Sequence, residues 1–222
     1  MPRQVNKDQR KAAIVDATWQ LIKEGGFSNV TMRHVAEETG LTNGALKPYF
    51  SSSSDLMRAA YETAFQKTIQ IQNEATAGKR GLEALQAFCE AAMPTNNQML
   101  RICRVTTAFW EKAICESELG AIYDANMFIW DAFIKRFLSE GIDDGDIRHD
   151  IPMQPVTDQI IWFLNSVQLM CHICNDITAD RQMDVLALII KPITVKKESV
   201  IQPIAIEANS SNVAGQAKAD LR

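Results

Sequence analysis

Residues 31–50 read TMRHVAEETGLTNGALKPYF and have the pattern of two short helices joined by a tight turn. Thr31 can cap the first helix, and Gly40 can end it because glycine accepts the left-handed backbone of a helix C-terminus. Thr42 can cap the second helix, whose Leu46 faces the first. The pattern predicts a helix-turn-helix, a motif whose second helix can enter the major groove of DNA. An ordinary helical hairpin is the alternative.

The flanking residues favour the helix-turn-helix over the hairpin. Residues 10–26 carry apolar or small side chains at helical spacing and end in two glycines. Ser52 and Asp55 have the spacing of a capping box and begin a long helix that is predicted to continue to about Ala75. Three helices therefore precede the long one, and residues 1–52 are predicted to form a DNA-binding domain.

A resemblance to a known family rests on two stretches of the chain. The run AAIVDATWQLIKEGGFSNVTMRHVAEETGLTNGALKPYF followed by SSSSDLMRAAYE is similar to the N-terminal domain of the TetR family of bacterial transcriptional regulators, over about residues 8–62 without a gap. The loop SEGIDDGDIRHDIP at residues 139–152 resembles the BetI-like branch of that family. The resemblance implies an all-α fold, in which a helical ligand-binding and dimerisation domain follows the helix-turn-helix domain.

The composition is that of a globular protein whose two parts differ in charge. The 222 residues are 46% apolar, which is enough for a sizeable core. Residues 1–60 hold eight Lys or Arg against six Asp or Glu, and the remainder holds fifteen against twenty-one, so the charges are +2 and −6. A basic head on an acidic body suits a protein that contacts phosphate at one end, although the contrast is small enough to be incidental.

The sequence also bears on the compartment. Met1 to Arg10 has no apolar signal-peptide core, and the most apolar stretch, residues 156–174, is interrupted by polar side chains and makes a poor membrane span. Five cysteines, an odd number, suggest reduced thiols. We expect a soluble cytoplasmic protein without a membrane segment.

The body of the chain is helical in pattern as far as Ile190. With the head, this predicts about nine helices, of which those in the body span residues 81–93, 98–115, 118–140, 155–177 and 179–190. Residues 53–192 are predicted to form the effector-binding and dimerisation domain. Residues 193–222 are predicted to be a flexible tail, in which Val200 to Ile206 could dock as an extended strip.

Two of these helices carry apolar residues on all sides. In residues 155–177 and 179–190 a monomer would leave much of that area in water, whereas two helices from each subunit can bury it as a four-helix bundle. The resemblance implies the same homodimer. Burial within one subunit is the alternative.

The predicted DNA contacts lie on the two short helices. Arg33 can reach a guanine or a phosphate, Asn43 can pair with adenine, and the resemblance implies a phosphate contact for Tyr49. Pro48 should bend or shorten the second helix, since it cannot donate a backbone hydrogen bond. Ser51 stands, with the serines after it, where the family commonly has a lysine. The complete predicted set is Thr31, Arg33, Thr42, Asn43, Gly44, Ala45, Lys47 and Tyr49.

For the body, the resemblance implies an effector cavity whose occupation moves the long helix. Aromatic, sulfur and isolated polar side chains suit an amphipathic, aromatic or cationic small molecule, although plain core packing is the alternative for each of them. The candidate residues are Cys103, Thr106, Phe109, Trp110, Tyr123, Asn126, Met127, Trp130, Trp162 and Asn165.

The sequence thus predicts a homodimeric repressor that a small-molecule effector releases from a palindromic double-stranded DNA operator. No phosphate loop, dinucleotide fingerprint or serine nucleophile motif suggests an enzyme, and we expect no metal or cofactor. Two alternatives stay open. One is an activator or a ligand-independent regulator. The other is a ligand-binding or redox-sensing protein that has lost operator binding, with Cys171 and Cys174 as its thiols.

Overall fold

The computed structural model describes residues 2–195, with side chains from Lys7 onward. Within this range the chain forms nine α-helices and no strand, which confirms the predicted all-α fold. Two 3₁₀ turns, Phe27–Asn29 and Lys191–Ile193, connect or extend the helices. The α-helices are α1 Pro2–Gly25, α2 Met32–Thr39, α3 Asn43–Leu46, α4 Ser53–Thr76, α5 Gly81–Ala92, α6 Asn97–Ala113, α7 Ser117–Asp143, α8 Met153–Met170 and α9 Ala179–Ile190.

The head consists of α1, α2 and α3 around a small apolar core. Ile14, Val35 and Leu46 each come from a different helix, and all three side chains are fully buried. This core continues through Leu56 of α4 to Phe109 of α6 in a single apolar cluster. Because head and body share buried side chains, a displacement of α6 or α4 can be transmitted to the head.

The second apolar cluster lies in the body between α5, α7, α8 and α9. Phe88, Trp130 and Phe137 are among its buried aromatic residues. Phe88 contacts Trp130 edge to face, with 5.8 Å between the ring centroids. The long helix α4 reaches both clusters, because Phe65 belongs to this one and Leu56 to the other.

Several helix ends differ from the sequence prediction. α1 begins at Pro2 and not near residue 10, and α7 continues to Asp143. The helix predicted over residues 155–177 spans Met153–Met170, so its predicted end is wrong. The backbone N–H of Cys171 still bonds the Val167 carbonyl, but the next two amides bond carbonyls three residues back, which tightens the chain into a turn.

The body also extends past its predicted end at residue 192. Ile193 is buried, and Thr194 forms an isolated antiparallel bridge with Ile147. The backbone N–H of Val195 donates to the Asp146 carbonyl at 2.9 Å, so the chain is held against the α7–α8 loop as far as Val195. The predicted flexible tail from residue 196 and the strip Val200 to Ile206 lie outside the described residues.

Across residues 2–195, the helices are all too short or too polar to cross a membrane.

Candidate nucleic-acid interface and ligand cavity

Local hydrogen bonds fix the geometry of the helix-turn-helix. The Thr31 hydroxyl accepts from the His34 backbone N–H at 3.1 Å, and the Thr42 hydroxyl accepts from that of Ala45 at 3.2 Å. Gly40 adopts a left-handed conformation with φ of 66° between the two helices. A Cβ atom at Gly40 would meet nothing within 4 Å, so the conformation and not the available space favours glycine there. The caps predicted from sequence are thus formed.

The tip of the head presents a continuous exposed surface from α3. Leu46 is 0% exposed and anchors this short helix to the core. Its other residues therefore face outward, where a DNA groove can reach them. The predicted contacts that are exposed here are Thr42, Asn43, Gly44, Ala45 and Lys47.

Three further predicted contacts flank the tip. Thr31 and Tyr49 are partly buried, and Arg33 is exposed on α2. The Arg33 Nε atom pairs with the Glu37 carboxylate at 2.8 Å, and this hydrogen bond raises the pKa of Arg33 and lowers that of Glu37. A surface pair of this kind is weak, so a phosphate can compete for the guanidinium.

Pro48 shortens α3, as the sequence predicted. The helix contains only Asn43–Leu46, and its last backbone donor is Lys47, which bonds the Asn43 carbonyl at 3.2 Å. Proline has no N–H to continue the ladder, and the amide of Tyr49 turns back to the Leu46 carbonyl at 2.9 Å. The exposed tip is therefore a single helical turn followed by a tight turn.

The start of α4 is capped by Ser52, as predicted, but the return bond of the capping box goes to Ser51 and not to Ser52. The Ser52 hydroxyl accepts from the Asp55 backbone N–H at 3.1 Å. The Asp55 carboxylate accepts in return from the backbone N–H of Ser51 at 3.1 Å and from its hydroxyl. These bonds, the Ser51 hydroxyl first, lower the pKa of Asp55. Ser51 is thus engaged with a carboxylate and would have to leave it to contact phosphate.

In the body, several predicted effector residues meet around Tyr61 of α4. Phe109 stacks on the Tyr61 ring with 3.7 Å between the centroids. Trp110 meets Tyr123 edge to face at 6.1 Å, and the Asn165 side-chain amide donates to the Tyr123 hydroxyl at 2.8 Å. The candidates thus come from α6, α7 and α8 and converge on the long helix that leads to the head.

A cavity of about 310 Å³ opens beside these rings. Two side chains that line it each hold a buried polar atom with no hydrogen bond to a described residue, namely Trp110 Nε1 and Asn165 Oδ1. The Trp110 indole faces the Tyr61 hydroxyl without reaching hydrogen-bond geometry. Such atoms are costly unless a ligand or water satisfies them. The described residues that line the cavity are Trp110, Ala113, Ile114, Gly120, Tyr123, Asp124 and Asn165.

The ionisable groups at or beside the cavity are two neutral phenols and one carboxylate. Burial raises the pKa of Tyr61 to about 12, and it also raises that of Tyr123. Asp124 is the only charged residue among those that line the cavity within the described part of the chain. The site can therefore hold an apolar or cationic group against its rings more easily than an anion.

Tyr61 is a site residue that the sequence did not predict. It lies on the buried stripe of α4 that includes Met57, Ala60 and Ala64. Helical spacing could have placed it on the inward face, but that spacing does not distinguish a ring beside a cavity from one in a packed core.

Five of the other predicted effector residues lie apart from this cavity. Trp130 packs in the second apolar cluster, and Cys103 is fully buried. The Thr106 hydroxyl donates to the Ile102 carbonyl of its own helix at 3.1 Å. Trp162 is 68% exposed on α8 and lines, with Met127, an adjoining surface pocket of about 490 Å³.

The remaining two predicted residues are near the rings. Phe109 is fully buried behind Tyr61, and the Asn126 side chain is near enough to the Tyr61 hydroxyl to oppose the rise in its pKa. They support the phenol from behind and beside it, and neither is among the residues that line the cavity.

The burial of Cys171 disfavours a reactive thiol at that position. Cys171 and Cys174 are both partly buried, and burial raises the pKa of Cys171 to about 11. A thiol with a raised pKa holds little thiolate at neutral pH and reacts slowly with oxidants. No group of three or more potential metal ligands occurs within the described residues.

The fold and the exposed tip define a helix-turn-helix protein with a helical, cavity-containing body, and comparisons with known proteins agree. Residues 14–60 match the family model described as bacterial regulatory proteins of the tetR family. The helix-turn-helix of this chain is thus similar to that of tetR-family regulators.

Two relatives are described as transcriptional regulators. The HTH-type transcriptional regulator PksA of Bacillus subtilis is 33% identical over 110 residues, which cover 49% of this chain and 54% of PksA. The HTH-type transcriptional regulator BetI of Stenotrophomonas maltophilia is 26% identical over 57% of this chain and 65% of its own length. The matches thus span just over half to just under two thirds of these relatives. Both relatives are regulators of transcription, in agreement with the predicted class of protein.

Solved structures share the fold. A putative transcriptional regulator from Saccharomonospora viridis, determined in complex with choline, superposes with a TM-score of 0.77 over 86% of this chain and 100% of that protein. The sequence identity of the pair is 18%, so the likeness concerns the fold alone.

Proposed function

We propose that this protein is a homodimeric transcriptional repressor that binds a palindromic DNA operator and leaves it when a small-molecule effector binds the body. The observation that carries the proposal is the capped, exposed tip at Thr42–Ala45 in a helix-turn-helix that is similar to that of tetR-family regulators. The proposed place of action is the cytoplasm, where a bacterial regulator meets DNA. The same geometry would serve an activator, and a transcription assay distinguishes the two.

At the DNA, the side chains divide into those that read bases and those that hold phosphates. The amide of Asn43 can pair with the N6 and N7 edge of an adenine, and the small Gly44 and Ala45 allow a close approach to the groove. Lys47, which is exposed, and Tyr49, which is partly buried, are proposed to contact phosphates on either side of that groove. The proposed operator therefore contains a short base-read segment in each half-site.

The proposed homodimer forms through α8 and α9. In one subunit these two helices and the turn after α8 expose a set of large apolar side chains, which supports association and disfavours burial within the subunit. Two such faces related by a twofold axis would bury each other and would place the two heads on one side of the dimer, as a palindromic operator requires. The exposed apolar residues are Trp162, Leu169, Ile173, Met183, Val185 and Leu188.

The proposed effector is a small cation or amphipathic molecule in the cavity at Trp110 and Tyr123. The electron-rich face of an aromatic ring attracts a cation, and Asp124 adds a negative charge. An acceptor and a donor on the ligand could satisfy Trp110 Nε1 and Asn165 Oδ1. Choline has a quaternary cation and a hydroxyl, and it is bound by the structural neighbour from Saccharomonospora viridis. It is therefore the first probe to test.

The experiment is a selection of bound duplexes from a random DNA library at moderate salt, followed by anisotropy titrations of the enriched sequence. We expect a palindrome, and we expect choline to raise the Kd for it by about tenfold, within the usual range of allosteric coupling. Absence of any enriched sequence would refute operator binding. A bound operator that does not respond to choline would refute choline as effector and leave the repressor to be tested with other cations.

A further inference from the structure

The connection between α6 and α7 borders the effector cavity. Its two arms, residues 110–113 of α6 and residues 117–124 of α7, are joined by a three-residue link, and we call residues 110–124 the α6–α7 corner. Trp110 and Tyr123 stand at opposite ends of this corner and meet at 6.1 Å across the cavity wall. A ligand at these rings therefore presses on both arms of the corner.

The same corner also contacts the head, through Lys112. Its ammonium nitrogen lies 4.7 Å from the centroid of the Phe27 ring, in the 3₁₀ turn between α1 and α2. The Lys112 side chain is only 13% exposed, so this cation–π contact is largely withdrawn from water. A desolvated contact of this type is stronger than one on the open surface.

A second contact leads from Lys112 to the start of α4. The ammonium pairs with the Glu116 carboxylate at 2.5 Å, and the Ser54 hydroxyl donates to the same carboxylate oxygen at 3.4 Å. Ser54 is in the first turn of α4, which follows α3 and the tight turn after it. Phe27, Lys112, Glu116 and Ser54 thus form one connected set, which we call the head clasp.

We infer that Lys112 is a positioning residue that transmits the state of the effector cavity to the DNA-binding head. The inference rests on the proposed function. Trp110 and Lys112 are two residues apart on one helix, so they project from different sides of it, one to the cavity and the other to the head. A ligand that displaces the corner must shift the Lys112 ammonium relative to Phe27 and Ser54, because packed helices move as rigid units.

Three variants separate this role from general stabilisation. Lys112→Met keeps the length and packing of the side chain and removes its charge, whereas Lys112→Arg keeps a cation that can lie over Phe27 and pair with Glu116. Lys67→Met is the matched control. Lys67 lies 4.4 Å from the centroid of the Trp19 ring, which is the same kind of contact between head and body, but it lies outside the α6–α7 corner.

The first readout is hydrogen exchange of the full-length protein without DNA or ligand. We expect Lys112→Met to speed the exchange of amides in residues 27–31 and 53–57 by about tenfold, because the clasp no longer holds these segments. In Lys112→Arg and Lys67→Met, the amides of these two segments should exchange at the wild-type rate. Unchanged exchange in Lys112→Met would show that no clasp holds the head and would overturn the inference.

The second readout is the ratio of operator Kd values with and without choline. In the wild type this ratio should be about ten, and in Lys112→Arg and Lys67→Met it should stay within twofold of the wild-type value. In Lys112→Met the ratio should fall to within twofold of unity, although this variant should bind choline as tightly as the wild type does. A wild-type ratio in Lys112→Met would overturn the inference. A wild type that ignores choline would contradict the proposed effector instead, and the exchange result alone would then decide whether the clasp exists.

Discussion

Two side chains at the tip, Asn43 and Lys47, are predicted to make opposite kinds of contact with DNA. Both are exposed; Asn43 begins a helix of only four residues, and Lys47 follows its end about one turn further on. Lys47→Ala should weaken binding to all duplexes alike and reduce the slope of log affinity against log salt by about 0.9 for each phosphate that the variant no longer neutralises. Salt titrations on operator and random DNA measure this slope.

Asn43→Ala should instead change base preference. A side-chain amide paired with adenine discriminates against the wrong base by about 1–3 kcal/mol. The affinity for the selected operator should therefore fall, while random DNA should bind as before. Titrations on operators substituted at each position provide the measurement. If Lys47→Ala altered base preference and Asn43→Ala weakened all sequences equally, the two roles would be assigned the wrong way round.

Tyr61 gives a pH-dependent prediction for stability. Burial raises its pKa to about 12, whereas a phenol in the unfolded chain ionises near pH 10. Below pH 10 the phenol is neutral in both states, and its contribution to stability is complete. Between pH 10 and 12 the unfolded chain releases the proton first, so the free energy of unfolding falls, by about 1 kcal/mol at pH 11.

The test compares the wild type with Tyr61→Phe, whose ring keeps the stack on Phe109. Urea unfolding at pH 8 and pH 11 should show a larger loss of stability in the wild type than in the variant. Other buried groups titrate in both proteins and cancel in this difference. An equal loss in the two proteins would mean that the Tyr61 hydroxyl is accessible to water.

At the scale of the helices, the caps could be predicted from the sequence, whereas the elements against which each helix packs could not. The caps at Thr31, Thr42 and Ser52 formed as predicted because each is decided by residues at most three positions away. The predicted end of α8 lies too far along the chain, because its apolar pattern continues into a turn that tertiary contacts tighten.

The effector residues show the same limit. Helical periodicity indicates which face of a helix is buried, but it does not indicate against what. Trp110 and Trp130 both come from apolar stripes, yet Trp110 lines a cavity and Trp130 packs in a closed core. Such a distinction depends on how the helices are arranged in space, which a single sequence does not specify.

The shortness of α3 leads to a prediction about Pro48. Pro48→Ala restores an N–H that can bond the Gly44 carbonyl, four residues back. We expect α3 to lengthen by about one turn. Carbon chemical shifts should become more helical at residues 47–49, and exchange of the Tyr49 amide should slow. Shifts unchanged at these positions would mean that packing of Phe50, and not the proline, ends the helix; Phe50 is buried against the head.

At the scale of the whole molecule, one apolar cluster extends from the head into the body. It includes Leu46 beside the exposed tip and Phe109 behind the cavity. Buried side chains therefore connect these two residues without interruption, and the head is not isolated from the effector site. Coupling between the sites requires such a continuous packed route or an equivalent shift between two states.

The proposed dimer is tested by placing charge on its apolar face. Leu188 is 70% exposed on α9, and a charged side chain there would be buried without a partner if two subunits met through α8 and α9. Leu188→Asp should therefore convert a dimer into a folded monomer, since an unpaired buried charge costs several kcal/mol. Sedimentation measures the mass, and circular dichroism checks the fold.

Ile114→Asp serves as the matched control. Ile114 is 86% exposed, more than Leu188, but it lies at the α6–α7 corner and not on the proposed interface. The control should remain a dimer, while Leu188→Asp should bind one half-site weakly and lose most of its affinity for the palindrome, because a dimer gains from holding both half-sites at once. A dimeric Leu188→Asp would place the interface on another face, and the apolar residues of α8 and α9 would then need a different partner.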